Sequence, residues 1–353
     1  MLFRLVKSLS SRATERALAL VERENIAPYF ESIAHSQIAL YHFCRSPYRT
    51  ICHNNPIFKD PTGTVRNDVN GEVEALRLYE EIIHHHPKWK SEQVDALLVE
   101  RIYTPERVKN LSAIFNEVKN SALQFVAHWP GNGLKQSELR IVANQIFKLT
   151  LEVPPPASLY SDEPDLFTKN DVLFEHMPSG RLVLRVGGAY FFTARSRFNR
   201  IFTMAHEIAH AIDPCETLPN GKPLMDQISL YTDLAHCFGS HQWVHKPNRA
   251  WCAGADQLSE AFADWFAAGL TALALRTVTQ YYSKEDLLHA GANAVRDLCD
   301  EGDDSDFEYK FHPRPEVRIR DIFFGHPWLR RVMGCAPSAA HYCGLEVLHE
   351  SIH

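Results

Sequence analysis

Before residue 155 the apolar positions recur at three- and four-residue spacing over 12–45, 91–103, 105–127 and 136–150, which predicts a helix in each segment. Thr104 followed by Pro105 gives the third of these a capping hydroxyl and a first residue with φ already set. Arg181-Leu182-Val183-Leu184-Arg185-Val186 alternates instead and is rich in branched side chains, predicting a strand that runs into Gly187-Gly188-Ala189-Tyr190-Phe191. Leu258, Ala261, Phe262, Trp265, Phe266 and Leu270 return to helical spacing and predict a buried helix. Pro130-Gly131-Asn132-Gly133 interrupts the pattern, and Val153-Pro154-Pro155-Pro156 marks a stiffer boundary. The expected organisation is a helical N-terminal region, 1–155, and a strand-bearing domain, 156–353, able to pack as one unit with the helical part roofing a cleft. The fold class is α+β, mainly α, and no internal repeat is visible.

Two segments of the second part carry chemistry. His206-Glu207-Ile208-Ala209-His210 places two imidazoles four residues apart, hence on one helix face, with a carboxylate beside them. That arrangement suits a single zinc ion held by His206 and His210, with Glu207 polarising a water. Zinc in a catalytic site takes three protein ligands and leaves a fourth position open, so one ligand remains to be found. A histidine at the spacing of the long HExxHxxGxxH pattern is excluded, because Asp213 and Glu216 stand where its Gly and third His would be. His236, His241 and His245 fall in a Gly- and Pro-containing stretch and are expected in loops or on the surface. Glu260 is the candidate: Ser259-Glu260-Ala261-Phe262-Ala263-Asp264 puts Glu260 and Asp264 one turn apart on the buried helix, where unpartnered carboxylates are costly. A metal for Glu260 and a ligand imidazole N–H for Asp264 would satisfy both. The expected fold is therefore a zincin-like catalytic domain with a small sheet and a zinc-binding helix, holding one Zn²⁺ per chain.

At these residues the chain resembles the neprilysin family of gluzincin metallopeptidases. Ala205 to Asp213 looks like that family's zinc helix with its trailing Asp, and Glu260 with Asp264 matches its Glu-x-x-x-Asp element. Phe311-His312-Pro313-Arg314-Pro315-Glu316-Val317-Arg318 repeats its C-terminal His and the Arg six residues later. The resemblance implies that Glu207 is the general base, that His312 stabilises an oxyanion, that Asp264 orients a ligand histidine and that Arg318 binds a substrate carbonyl. It also implies that Gly188, Ala189 and Tyr190 lie on a strand that pairs with peptide substrates, although Gly188 stands where the family has Asn. The likeness covers roughly residues 180 to 335, in a chain about half the size of a typical member.

The remaining features narrow the setting. Formal net charge is −6, with 37 basic and 43 acidic residues interspersed, so the basic footprint of nucleic-acid binding is lacking and nucleic acid is not an expected partner. The longest apolar stretch, Trp265 to Leu275, falls short of the roughly 20 residues a membrane span needs, so no transmembrane segment is expected. Met1 to Leu9 is basic and amphipathic without the core of a secretory signal, and reads as the first turns of a helix. Of eight cysteines, Cys44 and Cys52, Cys237 and Cys252, and Cys335 and Cys343 are close in sequence, leaving Cys215 and Cys299. Connectivity does not follow from spacing. A cytoplasmic protein would hold them as thiols, and one exported by a non-classical route as disulfides. His84-His85-His86 is expected to be a solvated helix end, since consecutive helical side chains diverge. Tyr190, Tyr281 and Tyr282 offer hydroxyls to a substrate or pack in the core or rim.

The expected activity is hydrolysis of peptide bonds in a peptide or protein substrate. Two alternatives stay open: an inactive, zinc-stabilised peptide-binding homologue, and an effector protease with one folded protein target.

Overall fold

A computed structural model describes residues 40–52, 69–128, 134–156, 164–193, 195–244, 251–252, 257–299, 312–335 and 342–343. Met1–Leu9, most of the predicted 12–45 helix, and His245 lie outside them. The described chain is mainly helical with one small sheet, as the apolar periodicity indicated. Its first half holds α1 (Leu40–Arg45), α2 (Pro47–Cys52), α3 (Val69–His85), α4 (Ser91–Ile102), α5 (Pro105–Ala127) and α6 (Gln136–Lys148). The start of α5 follows from its capping pair: Thr104 Oγ1 accepts from the Arg107 N–H at 3.4 Å, and Pro105 takes the first helical position. The helix expected over 136–150 ends earlier, because Thr150–Glu152 form β1.

β1 runs parallel to β3 (Leu182–Val186), and β2 (Val172–His176) runs antiparallel to β3 on its other side, giving the order β1-β3-β2. The strand predicted at 181–186 is therefore the centre of the sheet, and β2 is an edge. Every residue of β3 is buried, Arg185 included. Its guanidinium is matched by Glu152 of β1 and Glu175 of β2, which is how a charge is tolerated in a central strand.

Next come α7 (Arg197–His210), α8 (Ser229–Ser240), α9 (Leu258–Val278), α10 (Lys284–Ala294), a π-helical turn (Val317–Phe323) and α11 (Pro327–Val332). α7 packs most closely on α9, with α5 and α10 around it and β2 alongside. α9 is long and apolar enough by length and composition to cross a membrane, yet its Phe262, Trp265 and Phe266 are packed inside the protein. Burying each such Phe contributes about 1.5–3 kcal/mol. One continuous core extends from Phe43 and Leu111 through Ile208 and Phe262 to Met333, so packing does not break near residue 155. A smaller cluster, Ile82, Val94, Leu98 and Ile102 with Leu166 and Phe167, holds α3 and α4.

All eight cysteines are paired, and none with its sequence neighbour: Cys44–Cys335, Cys52–Cys299, Cys215–Cys252 and Cys237–Cys343. The first two tie α1 and α2 to the C-terminal half. This differs from the thiol state expected of a cytoplasmic chain.

Candidate metal centre

α7 is started by Ser196, whose Oγ accepts from the Asn199 N–H at 3.1 Å. Two turns further on, the four-residue spacing brings the Nε2 atoms of His206 and His210 to 3.3 Å from one another. From α9, Glu260 approaches both, with Oε2 at 3.1 Å from His206 Nε2 and Oε1 at 3.7 Å from His210 Nε2. These residues could hold a metal ion between them. His206, Glu207 and His210 also form a ligand-capable group on their own.

The other nitrogen of each histidine is held by a carboxylate. His206 Nδ1 lies 3.0 Å from Asp264 Oδ1, and His210 Nδ1 lies 3.3 Å from Asp213 Oδ2. Such contacts orient the ring and leave Nε2 facing the centre. Asp213 is fixed in turn, since its Oδ1 accepts from the N–H groups of Cys215 and Glu216 at 2.6 and 2.9 Å and from Ser259 Oγ at 3.2 Å.

Arg318 completes the inner side. Its Nε and Nη2 donate to Asp264 at 2.6 and 2.9 Å, and the side chain is 3% exposed. The guanidinium expected to face a substrate carbonyl therefore lies behind Asp264, inside the protein. His312 stands at the lip, 41% exposed, with Nε2 at 3.1 Å from Glu260 Oε2; its backbone carbonyl accepts from Gln257 Nε2 at 2.8 Å.

The charges respond to this crowding. Burial opposes ionisation of Glu260, but His206 and His312 hold its carboxyl well below the usual range. Burial also disfavours a charged His206, yet the hydrogen bonds it gives to Asp264 and Glu260 raise it well above an ordinary imidazole. Glu207 differs: removal from water pushes it up to about 7, against the lowering pull of His210 and His206. Its Oε2 accepts from the Phe174 N–H of β2 at 2.9 Å. Phe174 was not singled out from the sequence, although the short apolar run Val172-Leu173-Phe174 before Pro178-Ser179-Gly180 is compatible with a strand and turn.

The structure thus brings together His206, Glu207, His210, Glu260, Asp264, His312 and Arg318. Gly188, Ala189 and Tyr190 are placed elsewhere, buried on a 3-10 turn (Gly188–Phe191) after β3 rather than on an edge strand open to a peptide. The glycines there answer to packing. A Cβ on Gly187 would fall 2.2 Å from the Lys169 carbonyl oxygen, and one on Gly188 2.4 Å from that of Phe167, so an Asn side chain has no room.

His236, His241, His84, His85 and His86 stay outside the centre. His236 is on the surface, as expected, although on helix α8 rather than in a loop, and His241 follows the last turn of that helix. Cys237, His241 and Cys343 also have metal-ligand geometry, but both sulfurs are joined in a disulfide. His84 and His85 end α3 in solvent, and His86 stacks on Trp89 at 3.6 Å between ring centroids. Tyr281 is exposed, and Tyr282 packs against Phe198.

A scan of protein-family models finds no match to this chain, and comparisons with curated proteins and with solved structures find none either.

Proposed function

We propose that the chain is a zinc-dependent endopeptidase of the gluzincin kind, with His206, His210 and Glu260 as ligands and Glu207 as general base. The observation that carries this reading is the spacing of the three donors. Zinc–nitrogen and zinc–oxygen bonds of about 2.0–2.1 Å in a tetrahedron put neighbouring ligand atoms about 3.3–3.4 Å apart. The two Nε2 atoms are 3.3 Å apart, and the Glu260 carboxylate spans them, with Oε2 3.1 Å from His206 Nε2 and Oε1 3.7 Å from His210 Nε2. The donor set fits as well, with two imidazoles fixed through Nδ1 and one carboxylate held ionised.

Zinc bound there would supply Lewis acidity toward a scissile carbonyl and the water that attacks it. Glu207 is anchored through one oxygen by the Phe174 N–H, so its other oxygen takes the proton of the attacking water and passes it to the leaving amine. His312, the most exposed imidazole beside Glu260, donates to the developing oxyanion. Asp264, Asp213 and Arg318 act as positioning residues. In this reading Arg318 serves the substrate only through Asp264 and His206. Four disulfides favour an oxidising compartment, and hence an exported protein, over the cytosol.

Zinc content measured together with chelator-sensitive cleavage of a mixed peptide library tests the reading. The expected result is about one zinc per chain, activity abolished by chelation, and a Glu207→Gln protein that keeps its zinc but loses about 10²- to 10⁴-fold or more in turnover. Near-wild-type turnover in that variant would remove Glu207 from its role. Bound zinc with no cleavage by either protein would favour a peptide-binding function or a single folded target.

A further inference from the structure

Along α7 the half-exposed positions are Arg197, Arg200, Thr203, Glu207 and His210, and every position between them is buried. Steps of three and four residues set Arg200, Thr203, Glu207 and His210 in one stripe, which meets β2 at Glu207. Glu207 and His210 belong to the metal centre. Arg200 lies two turns earlier, about 10 Å along the helix axis, and the chemistry above does not use it.

Its neighbours show how arginines in this stretch are normally satisfied. Arg195 donates to Asp297 at 3.0 Å and to Asn170, and Arg197 gives Nη2 to both oxygens of Glu117 at 2.6 and 2.8 Å. Arg200 has no carboxylate partner among the described residues, and its Nε is buried without a hydrogen bond. The charges of Arg195 and Arg200 both act on the hydroxyl of Tyr190, which is also buried with no hydrogen-bond partner among the described residues. The acids near Tyr190 are engaged: Asp171 accepts from the Val172 N–H, and Asp297 pairs with Arg195. A guanidinium partly withdrawn from water, with no counter-ion among the described residues and an unbonded Nε, is an incomplete arrangement that one carboxylate would complete.

Building on the peptidase reading, we propose that Arg200 is a carboxylate-recognition subsite on the face of α7 that carries Glu207. An extended peptide advances about 3.3 Å per residue, so the 10 Å from Glu207 places the recognised carboxylate about three residues from the scissile bond. Its source is either the peptide's own C-terminus or an Asp or Glu side chain.

The test uses the zinc-loaded full chain and peptides made both as free acids and as C-terminal amides, with a single Glu moved along the amide series. Cleavage is followed by mass spectrometry. Binding of fluorescent versions to zinc-loaded Glu207→Gln is followed by anisotropy. Peptides carrying the carboxylate at the right distance are expected to be favoured about 10- to 100-fold, in KM rather than kcat, and to bind correspondingly tighter. Arg200→Gln erases the preference and Arg200→Lys restores part of it. Preference for free acids alone identifies the terminus, and preference within the amide series identifies the side chain. Cleavage of both sets with no preference in either readout overturns the subsite and leaves the peptidase reading standing. Preferential binding without cleavage does the reverse. An Arg200→Gln protein that melts several degrees lower with its preference unchanged places the partner of Arg200 inside the chain and also overturns the proposal.

Discussion

The two faces of α7 solve their electrostatics differently. On the inner face His206, Asp264 and Arg318 form a closed set: the imidazole meets one carboxylate oxygen, the guanidinium meets both, and the Asp264 side chain is 1% exposed. On the outer face Arg200 has no acid among the described residues, and Glu207 has one backbone N–H and a carboxyl pushed up to about 7 by burial. The inner charges are complete before any ligand arrives and fix geometry. The cleft charges are left open, where a metal, a water or a substrate can complete them. Breaking the inner set should therefore cost stability, and altering the cleft set should cost function.

The largest stability effect is expected from Asp264→Ala, which leaves Arg318 buried without its counter-ion. Losing one partner of a buried pair costs about 3–5 kcal/mol. Release of the His206 ring should also weaken metal binding about 10- to 100-fold. Guanidinium unfolding under non-reducing conditions, with a zinc titration alongside, measures both. Burial alone would raise Asp264, but Arg318 and His206 lower it, so the stability it confers is present above the ordinary aspartate range and is lost as pH falls through its depressed folded value. A loss below about 1 kcal/mol would mean that the inner set is not closed in the sense argued here.

Local spacing made much of this centre legible. His206, Glu207 and His210 are defined by helical periodicity within five residues, and the phase of the α9 apolar stripe was enough to put Glu260 and Asp264 on one face. The start of α5 followed from Thr104 and Pro105, both read within one turn. What the sequence did not reveal depends on distant partners. The Gly187-Gly188 pair looked like the approach to a substrate strand, but its form is dictated by the carbonyls of Lys169 and Phe167 from a separate segment. The role of Arg318 is set by a carboxylate 54 residues away, and the disulfides join residues 37 to 291 positions apart, beyond any local pattern. β1 was not foreseen, and its first residue, Thr150, was given to the preceding helix, because its identity comes from pairing with β3 and not from its own three residues.

If matching decides which buried charges are tolerated, an unmatched buried titratable group should reveal itself in acid. His326 is such a group. Burial pushes its imidazole down to about 3, its Nδ1 accepts from the Trp328 N–H at 3.3 Å to start α11, and its Nε2 has no hydrogen-bond partner among the described residues. The unfolded chain takes up a proton near pH 6.5 that the folded chain refuses until about pH 3, so stability falls as pH drops through that window. At pH 4.5 the loss from this one residue is about 2–3 kcal/mol. His326→Asn keeps an acceptor at the helix start and cannot titrate, so its unfolding midpoint should change less between pH 6.5 and 4.5 than that of the parent. Equal slopes would show that water or a carboxylate reaches His326.

The smallest effect is expected where the comparison is most exposed to failure. Removing the charge of Arg200 breaks no ion pair with a described residue, so Arg200→Gln should alter unfolding stability by no more than about 0.5 kcal/mol, as for a substitution outside any matched network. Arg197→Gln is the internal control, because it severs the Glu117 contact one turn away on the same helix. That contact is partly solvated, which limits the expected loss to about 1 kcal/mol. The two substitutions share helix, residue type and approximate exposure, and differ in the presence of a counter-ion. A larger loss at Arg200 than at Arg197 would mean that the cleft face is already satisfied from within, and the distinction between a closed inner face and an open outer one would fail at its most informative residue.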